Sequence, residues 1–293
     1  VIAQSFVNWE MIIVDDCSTD NTDEVVSFYK DQRIKYLKNE KNSGAAITRN
    51  KALREAQGEW IAFLDSDDLW APEKLEHQIN FMKNNGYNLS FTEYEKIDEE
   101  SKPLNVYVSG PEMVNKRKMY NYDYIGQLTM MYSTKAFGLI QIKDIKKNND
   151  YAIRLQLYKK DGTCAYLLKE NLAKYRVRKV SISHDKFKKK FKSHYDLFHL
   201  CDEKSPIVAI WYACWNMFYG VLKKKKYEKE RYRIGDFESG RARVYVEGIR
   251  WGKDYFDRAC SWRDTRHVAL LFQNEGTVVR AYSYRKSTID ERV

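Results

Sequence analysis

The chain has 293 residues, 43% of them hydrophobic, enough for one large α/β core or an ordinary domain with an appendage, which argues against global disorder. Lys and Arg exceed Asp and Glu by 51 − 41, and the net charge of +10 suits an anionic partner: nucleotide phosphates, an acidic membrane surface or nucleic acid. Cys17, Cys164, Cys201, Cys214 and Cys260 are odd in number and scattered without a C-x-x-C pair, so neither a disulfide frame nor a zinc site is expected and the setting reads as reducing and cytoplasmic. No basic stretch precedes an apolar one at the start, so no secretory signal is expected.

In chain order, Val1 to Glu10 reads as the end of a helix and Met11 to Val14 as a buried strand. Asp15 to Thr22 is a polar turn rich in capping residues, and Asp23 to Lys30 continues as an amphipathic helix. Arg33 to Leu37 is a second strand; Ser43-Gly44-Ala45-Ala46 opens a helix that runs to Gln57 and is closed by Gly58. Trp60 to Leu64 is an apolar run, as expected of a strand covered on both faces, and it ends in Asp65, Asp67 and Asp68. Side chains two apart on an extended chain share a face, so Asp65 and Asp67 together suit a hard divalent cation that leaves positions for the phosphates of a nucleotide. A bare D-x-D is more often a turn former or a helix cap, so its surroundings decide its meaning. Pro72 then opens a helix over Glu73 to Asn85. The alternation predicts an α/β fold with a mostly parallel sheet flanked by helices, and three polar clusters fall at strand ends or helix starts, where open α/β sheets bind ligands.

Taken together, IIVDDCSTDNT, KNSGAAITRN and GEWIAFLDSDD, with Trp70 and Pro72 beyond, resemble the inverting family 2 glycosyltransferases of the GT-A fold in order, spacing and strand context. The resemblance covers Val1 to about Lys226 and is most specific over Trp9 to Leu75. It implies that Asp16 accepts from the uracil of a nucleoside-diphosphate sugar, with Asp15 supporting that nucleotide-binding turn, and that Arg49 lies by the diphosphate. Asp65 would lie near the ribose, and Asp67 together with Asp65 would hold Mn²⁺ or Mg²⁺, neutralising charge on the departing nucleotide. A family base at the start of a later helix falls on Asp150, in Asn148-Asn149-Asp150-Tyr151, where Asn149 replaces the usual first acid; Asp150 also reads as a helix cap. Gly126 to Met131 resembles the acceptor-side segment. Tyr175-Arg176-Val177-Arg178 with Ser181 to Ser183 resembles the closing segment, and nearby His184 reads as a surface histidine. No Q-x-x-R-W motif is present, which favours addition of a single sugar. The implied partners are a nucleotide-sugar donor and a glycan or lipid-linked acceptor.

Beyond this come the basic Lys186 to Lys192 and the apolar Pro206 to Leu222, at about 17 residues the lower limit for spanning a bilayer. Its tryptophans and flanking lysines suit either a helix at an anionic membrane surface, on the inner face of the cell membrane, or one packed on the domain. No nucleic-acid-binding module accompanies the charge, so that partner is not expected. The expected organisation is a GT-A domain over 1–183, a basic and aromatic helical region over 184–232, and a β-rich segment of unknown role over 233–293. In that last segment, 240–253 faintly resembles a single WG-type repeat and His267 to Phe272 looks buried. The family's first strand and helix, roughly two dozen residues, are expected to be absent, which would leave unpaired ladder groups beside the vacancy unless His267 to Phe272 fills it. The competing readings are a catalytically inactive remnant serving as a membrane-surface or interaction module, and a nucleotidyltransferase.

Overall fold

Short apolar runs closed by polar turns become strands here, and the longer helices between them, such as Lys74–Asn85 and Asn149–Leu157, bury an apolar side. The structure, a computed structural model, describes residues 1–178, 187–230, 273–274 and 277–278. It divides into two units, Val1–Glu228 and Lys229–Val293.

In the first unit, β1 (Met11–Asp15) and β2 (Ile34–Lys38) pair in parallel, Met11 opposite Ile34 and Asp15 opposite Lys38, with α1 (Thr22–Phe28) between them in sequence. The chain then passes through α2 (Ala45–Glu55), β3 (Trp60–Ala62), β4 (Leu69–Trp70) and α3 (Lys74–Asn85), which ends on left-handed Gly86. β5 (Leu89–Ile97) is followed by β6 (Pro103–Val108), β7 (Met113–Asn115), α4 (Lys116–Asn121), β8 (Met131–Ser133) and α5 (Thr134–Phe137). Then come α6 (Asn149–Leu157), β9 (Cys164–Arg176), α7 (Phe187–Asp196), which a further helical turn at Leu197–Cys201 extends, and α8 (Pro206–Tyr227).

The larger sheet corrects the expectation of mostly parallel strands. Its β3–β8, β5–β8, β5–β6, β4–β9 and β7–β9 pairs are antiparallel, and β5–β9 is parallel. A short connection such as Asp98 to Lys102 reverses the chain, whereas a parallel neighbour needs a crossover, which β9 receives through α6. The β1–β2 pair joins no further strand among the described residues, and β3 pairs only with β8. What ties β1 to the β3 edge is Glu10, whose Oε1 accepts from the backbone N–H groups of Gln57 and Gly58, both at 2.7 Å.

Val1 to Glu10 is a turn and an extended stretch rather than a helix end. So short a segment does not nucleate a helix by itself. Gln4 instead pins it to α3: its amide donates to Ala71 O at 2.7 Å and its carbonyl accepts from Leu75 N at 2.9 Å.

The main core gathers Leu89 and Phe91 of β5, Tyr132 of β8, Tyr151 and Leu155 of α6, and Leu197, Phe198 and Ala209 from the C-terminal helices. Because those last residues are buried in the same core, the described helices of the region expected over 184–232, α7 and α8, belong to the first unit, and the division falls at Glu228/Lys229. No helix among the described residues is long and apolar enough to cross a membrane. In the second unit Gln273–Asn274 pairs antiparallel with Thr277–Val278. Ser181 to His184, the 240–253 stretch and His267 to Phe272 lie outside the described residues.

Candidate functional site

The candidate residues come from two strand ends and two helix starts. Asp15 closes β1 as a buried carboxylate that accepts from Ser18 N at 2.8 Å and Tyr36 Oη at 3.0 Å, with Lys38 Nζ at 3.4 Å. The Ser18 hydrogen bond leads the effects that outweigh burial and hold its pKa down at about 2. Its surroundings are those of a turn support.

Asp16 points the other way, toward α2. One oxygen accepts from Ser43 N at 2.7 Å and Asn39 Nδ2 at 2.8 Å, and the other from Gly44 N at 2.7 Å. Burial alone would raise this carboxyl; the donors Asn39, Ser43 and Gly44 outweigh it and hold the group below its ordinary value. A carboxylate has about four acceptor positions, so about one remains for a ring N–H. Gly44 sits at φ +83° and ψ 160°, a conformation open almost only to glycine, and this lets its N–H face Asp16 as α2 begins.

One turn into α2, Arg49 spans two motifs. Its Nη2 donates to Asp65 Oδ1 at 2.7 Å and its Nη1 to Asn149 Oδ1 at the start of α6. The asparagine that stands in place of the family acid thus serves as a neutral acceptor for the arginine. Asp67 meets Arg178 Nε at 2.9 Å, and its backbone carbonyl accepts from Arg176 Nε at 2.8 Å. Asp68 is buried and accepts from Arg176 N at 2.9 Å. Burial first, and then the carboxylates of Asp67 and Asp65, push Asp68 up to about 7. The closing segment Tyr175 to Arg178 therefore lies on the acidic turn through both of its arginines.

Asp150 lies in the first turn of α6. Four residues on, Arg154 is almost fully buried: it donates from Nη2 to Asp123, from Nη1 to Gln127 Oε1 at 2.6 Å, and from Nη2 to Asp150 Oδ2 at 3.3 Å. Burial works against the charge of Asp150, but the guanidinium groups of Arg154 and Arg49 outweigh it and hold the carboxyl below its ordinary value.

Of the residues singled out in the sequence, Arg49, Asp65 and the Asn149-Asp150 pair are joined by contacts, and Asp67 and Asp68 are joined to the Tyr175 to Arg178 segment. Asp15 and Asp16 are held on the β1 and α2 side by a separate set of partners, Ser18 and Tyr36 for the first and Asn39, Ser43 and Gly44 for the second. Sequence reasoning missed Arg154 and Asp123, and gave Gln127 no role of its own within Gly126 to Met131. The available signal was an arginine set among apolar residues in YAIRL, one helical turn from Asp150.

A divalent cation fits this donor set in one way. Asp65 and Asp67 offer hard carboxylate oxygens on one turn, while Asp68 is buried and turned to Arg176 N. Among the described residues no three His, Cys, Asp or Glu side chains converge on a common point. Protein ligands would thus be one or two carboxylates, with the remaining positions left to phosphate oxygens and water, the arrangement Mg²⁺ commonly takes at nucleotides.

The family model described as Glycosyl transferase family 2 matches residues 1–148. The chain belongs to this family. TuaG of Bacillus subtilis (strain 168), assigned to teichuronic acid biosynthesis, is 44% identical over 190 residues, which are 64% of this chain and 75% of TuaG. WfgD of Escherichia coli, a UDP-Glc:alpha-D-GlcNAc-diphosphoundecaprenol beta-1,3-glucosyltransferase, is 35% identical over 223 residues, 76% of this chain and 86% of WfgD. Among solved structures, S. aureus TarS 1–349 in complex with UDP-GlcNAc superposes with a TM-score of 0.55 at 23% identity, over 68% of this chain and 58% of that one. The chain thus spans less than two thirds of this TarS structure. The glycosyltransferase has a GT-A fold, an α/β architecture with its sheet flanked by helices.

Proposed function

We propose that this family 2 glycosyltransferase moves one sugar from a UDP-sugar to a hydroxyl of a lipid-linked glycan acceptor, with inversion, in the synthesis of a cell-surface glycan. The observation that carries the reading is Arg49, which links the acidic turn at Asp65 to Asn149, the neighbour of Asp150. Three segments far apart in sequence thereby meet, as a donor-side carboxylate, a phosphate-binding guanidinium and a base. The nature of WfgD supports the donor and acceptor classes.

In this reading Asp16 uses its remaining acceptor position for the uracil N–H. Arg49, with Arg178 on the other side of the turn, meets the diphosphate, exchanging a carboxylate partner for phosphate oxygens. Asp67 and Asp65 hold Mn²⁺ or Mg²⁺, which when bound neutralises charge on the leaving UDP. Asp150, kept ionised by Arg154 and Arg49, takes the proton of the acceptor hydroxyl as that oxygen attacks the anomeric carbon and the bond to UDP breaks. An undecaprenyl-type acceptor is presented at a membrane, so the reading puts the chain on the cytoplasmic face of one.

Calorimetric titration with UDP, with and without Mn²⁺, tests the donor site, and release of UDP from a UDP-sugar with a lipid-linked acceptor tests transfer. Metal-dependent UDP binding, lost in Asp67→Ala, together with transfer lost in Asp150→Asn, is the expected result. A folded chain that binds no UDP, or transfer unchanged in both variants, overturns it.

A further inference from the structure

Helices on a globular domain normally turn their apolar stripe inward and their polar face to water. α8 is apolar on its outward side as well. The side packed on the domain is built of Ala209, Ala213 and Asn216, all buried, with the Asn216 amide donating to Tyr120 O at 2.9 Å. Its outward side carries Ile207, Trp211, Phe218 and Val221, which are 82%, 60%, 55% and 62% exposed, with exposed Ile210 and Leu222 beside them. Spacings of three, four and seven put these residues on one face, and from Ile207 to Leu222 that face runs roughly 22 Å at the usual helical rise. No charged residue interrupts it between Pro206 and Leu222. A contiguous exposed apolar surface of this length marks an interaction site.

The surroundings select the partner. Trp215 packs edge-on against Trp211 at 5.6 Å and beside Tyr219 at 5.5 Å, which adds aromatic rings carrying polar N–H and O–H groups along the stripe. Such rings favour the boundary between water and acyl chains. α7 packs against α8 and exposes Phe187 together with Lys188, Lys189 and Lys190; Lys226 is exposed at the far end of α8. A protein partner would be met by an apolar patch with a mixed polar rim, whereas the first turn of α7 exposes three successive lysines and the one acid of α7, Asp196 at its end, is already paired with Lys192 at 3.1 Å, on a chain of net charge +10. Positive charge beside an apolar stripe complements anionic headgroups over acyl chains. α8 is not apolar enough to cross. We infer that the outward face of α8, with the α7 lysines, lies in the interface of an anionic bilayer, the helix axis parallel to the surface. Its purpose rests on the reading of a lipid-linked acceptor, which such docking would bring to the chain, but the contact itself requires no sugar chemistry.

The test is co-sedimentation of the full chain, without donor or metal, with vesicles of phosphatidylcholine alone and with added phosphatidylglycerol. Binding is expected to the anionic vesicles, falling with salt, with tryptophan emission quenched by brominated acyl chains. A Trp211→Glu/Phe218→Glu double variant should weaken it by about tenfold or more, and Lys188→Glu/Lys189→Glu by roughly fivefold per charge lost. Both sites are solvent-exposed, so far-UV circular dichroism should match the parent chain. Asp67→Ala should bind vesicles like the parent, so a failed donor site and a failed membrane site give different results. The inference is overturned by anionic vesicles that bind no chain, by undiminished binding of the Trp211→Glu/Phe218→Glu variant, or by sedimentation equilibrium showing a dimer that this variant converts to monomer.

Discussion

Removing the charge of Arg154 is the sharpest probe of the base. The guanidinium nitrogen lies 3.3 Å from Asp150 Oδ2, and the two charge centres are therefore about 4 Å apart. At an effective dielectric of about 20 that separation corresponds to about 4 kcal/mol. The Asp150 side chain is 42% exposed, so water screens much of it, and about 1–2 kcal/mol is the realistic share, or about one pH unit. A depressed carboxyl is ionised, and able to accept a proton, above its folded pKa, and loses that ability as pH falls through it. Arg154→Met should therefore move the acid limb of the kcat/KM profile upward by about one unit, while Arg154→Lys should leave it near the parent's. Because Arg154→Met leaves Asp123 unpaired, at a cost of about 3–5 kcal/mol, the double variant Arg154→Met/Asp123→Asn keeps the comparison in a folded chain. Initial rates of UDP release across pH, with folding checked by circular dichroism, give the answer. An acid limb no higher in a folded Arg154→Met/Asp123→Asn chain than in Asp123→Asn alone would refute the assignment of Asp150 as the titrating base, since the Asp123 charge that itself raises Asp150 is then absent from both.

Gly44→Ala should meet no clash, since nothing lies within 4 Å of the added Cβ, yet φ +83° makes it strained by about 1–3 kcal/mol; thermal melting should fall by several degrees and UDP affinity with it, and an unchanged melting temperature would count against this conformation. Asp15 contributes stability that is present above its unfolded pKa and lost as pH falls toward its folded value of about 2, so the urea midpoint of Asp15→Asn should depend less on pH in the acid range than the parent's. Arg49→Lys keeps the charge but loses the fork that reaches both Asp65 and Asn149, and calorimetry should show UDP binding weakened by about tenfold.

The parts of the site that were legible in the sequence are those whose side chains also serve the local backbone. Asp15 closes its own turn through Ser18 N, and the Asp65 to Asp68 run forms the turn between β3 and β4, closed by Asp68 N on Asp65 O, so residue type and position report together. Arg49 was placed by its motif, but its link to Asn149, 100 residues away, depends on how α2 and α6 approach. The same limit hid Asp123 and the role of Gln127: both come from the irregular stretch before β8, and only the packing of α6 against it turns Arg154 from a helix charge into a buried hub. Sheet polarity was misjudged for a related reason. Apolar runs announce strands, but their pairing follows from connections, and the turn after Ile97 reverses β5 into β6 where alternation with helices suggested otherwise.

The proposed nucleotide side is mechanically distinct from the proposed base side. Asp16 is mounted on β1 and α2, whereas Asp150 is mounted on α6 over the larger sheet, and no backbone ladder among the described residues joins β1–β2 to that sheet. A two-stranded pair is marginal alone. It is held by Glu10 on Gln57 and Gly58, by burial of Ala46 and Leu53 of α2 in the main core, and by Arg49 on Asp65 and Asn149. Local opening should accordingly be easier there, and amides of β1 and β2 should exchange with deuterium faster than those of β5 and β9. A ligand that needs Asp16 and Asp67 together binds only the closed arrangement, and at about 100 times its Kd it favours that state by about 2.7 kcal/mol. UDP with Mn²⁺ should thus slow β1 and β2 exchange by about a hundredfold, with β5 little changed. Equal protection of β1 and β5 in the free chain would mean instead that the second edge of β1 is already covered, and that the two halves move as one.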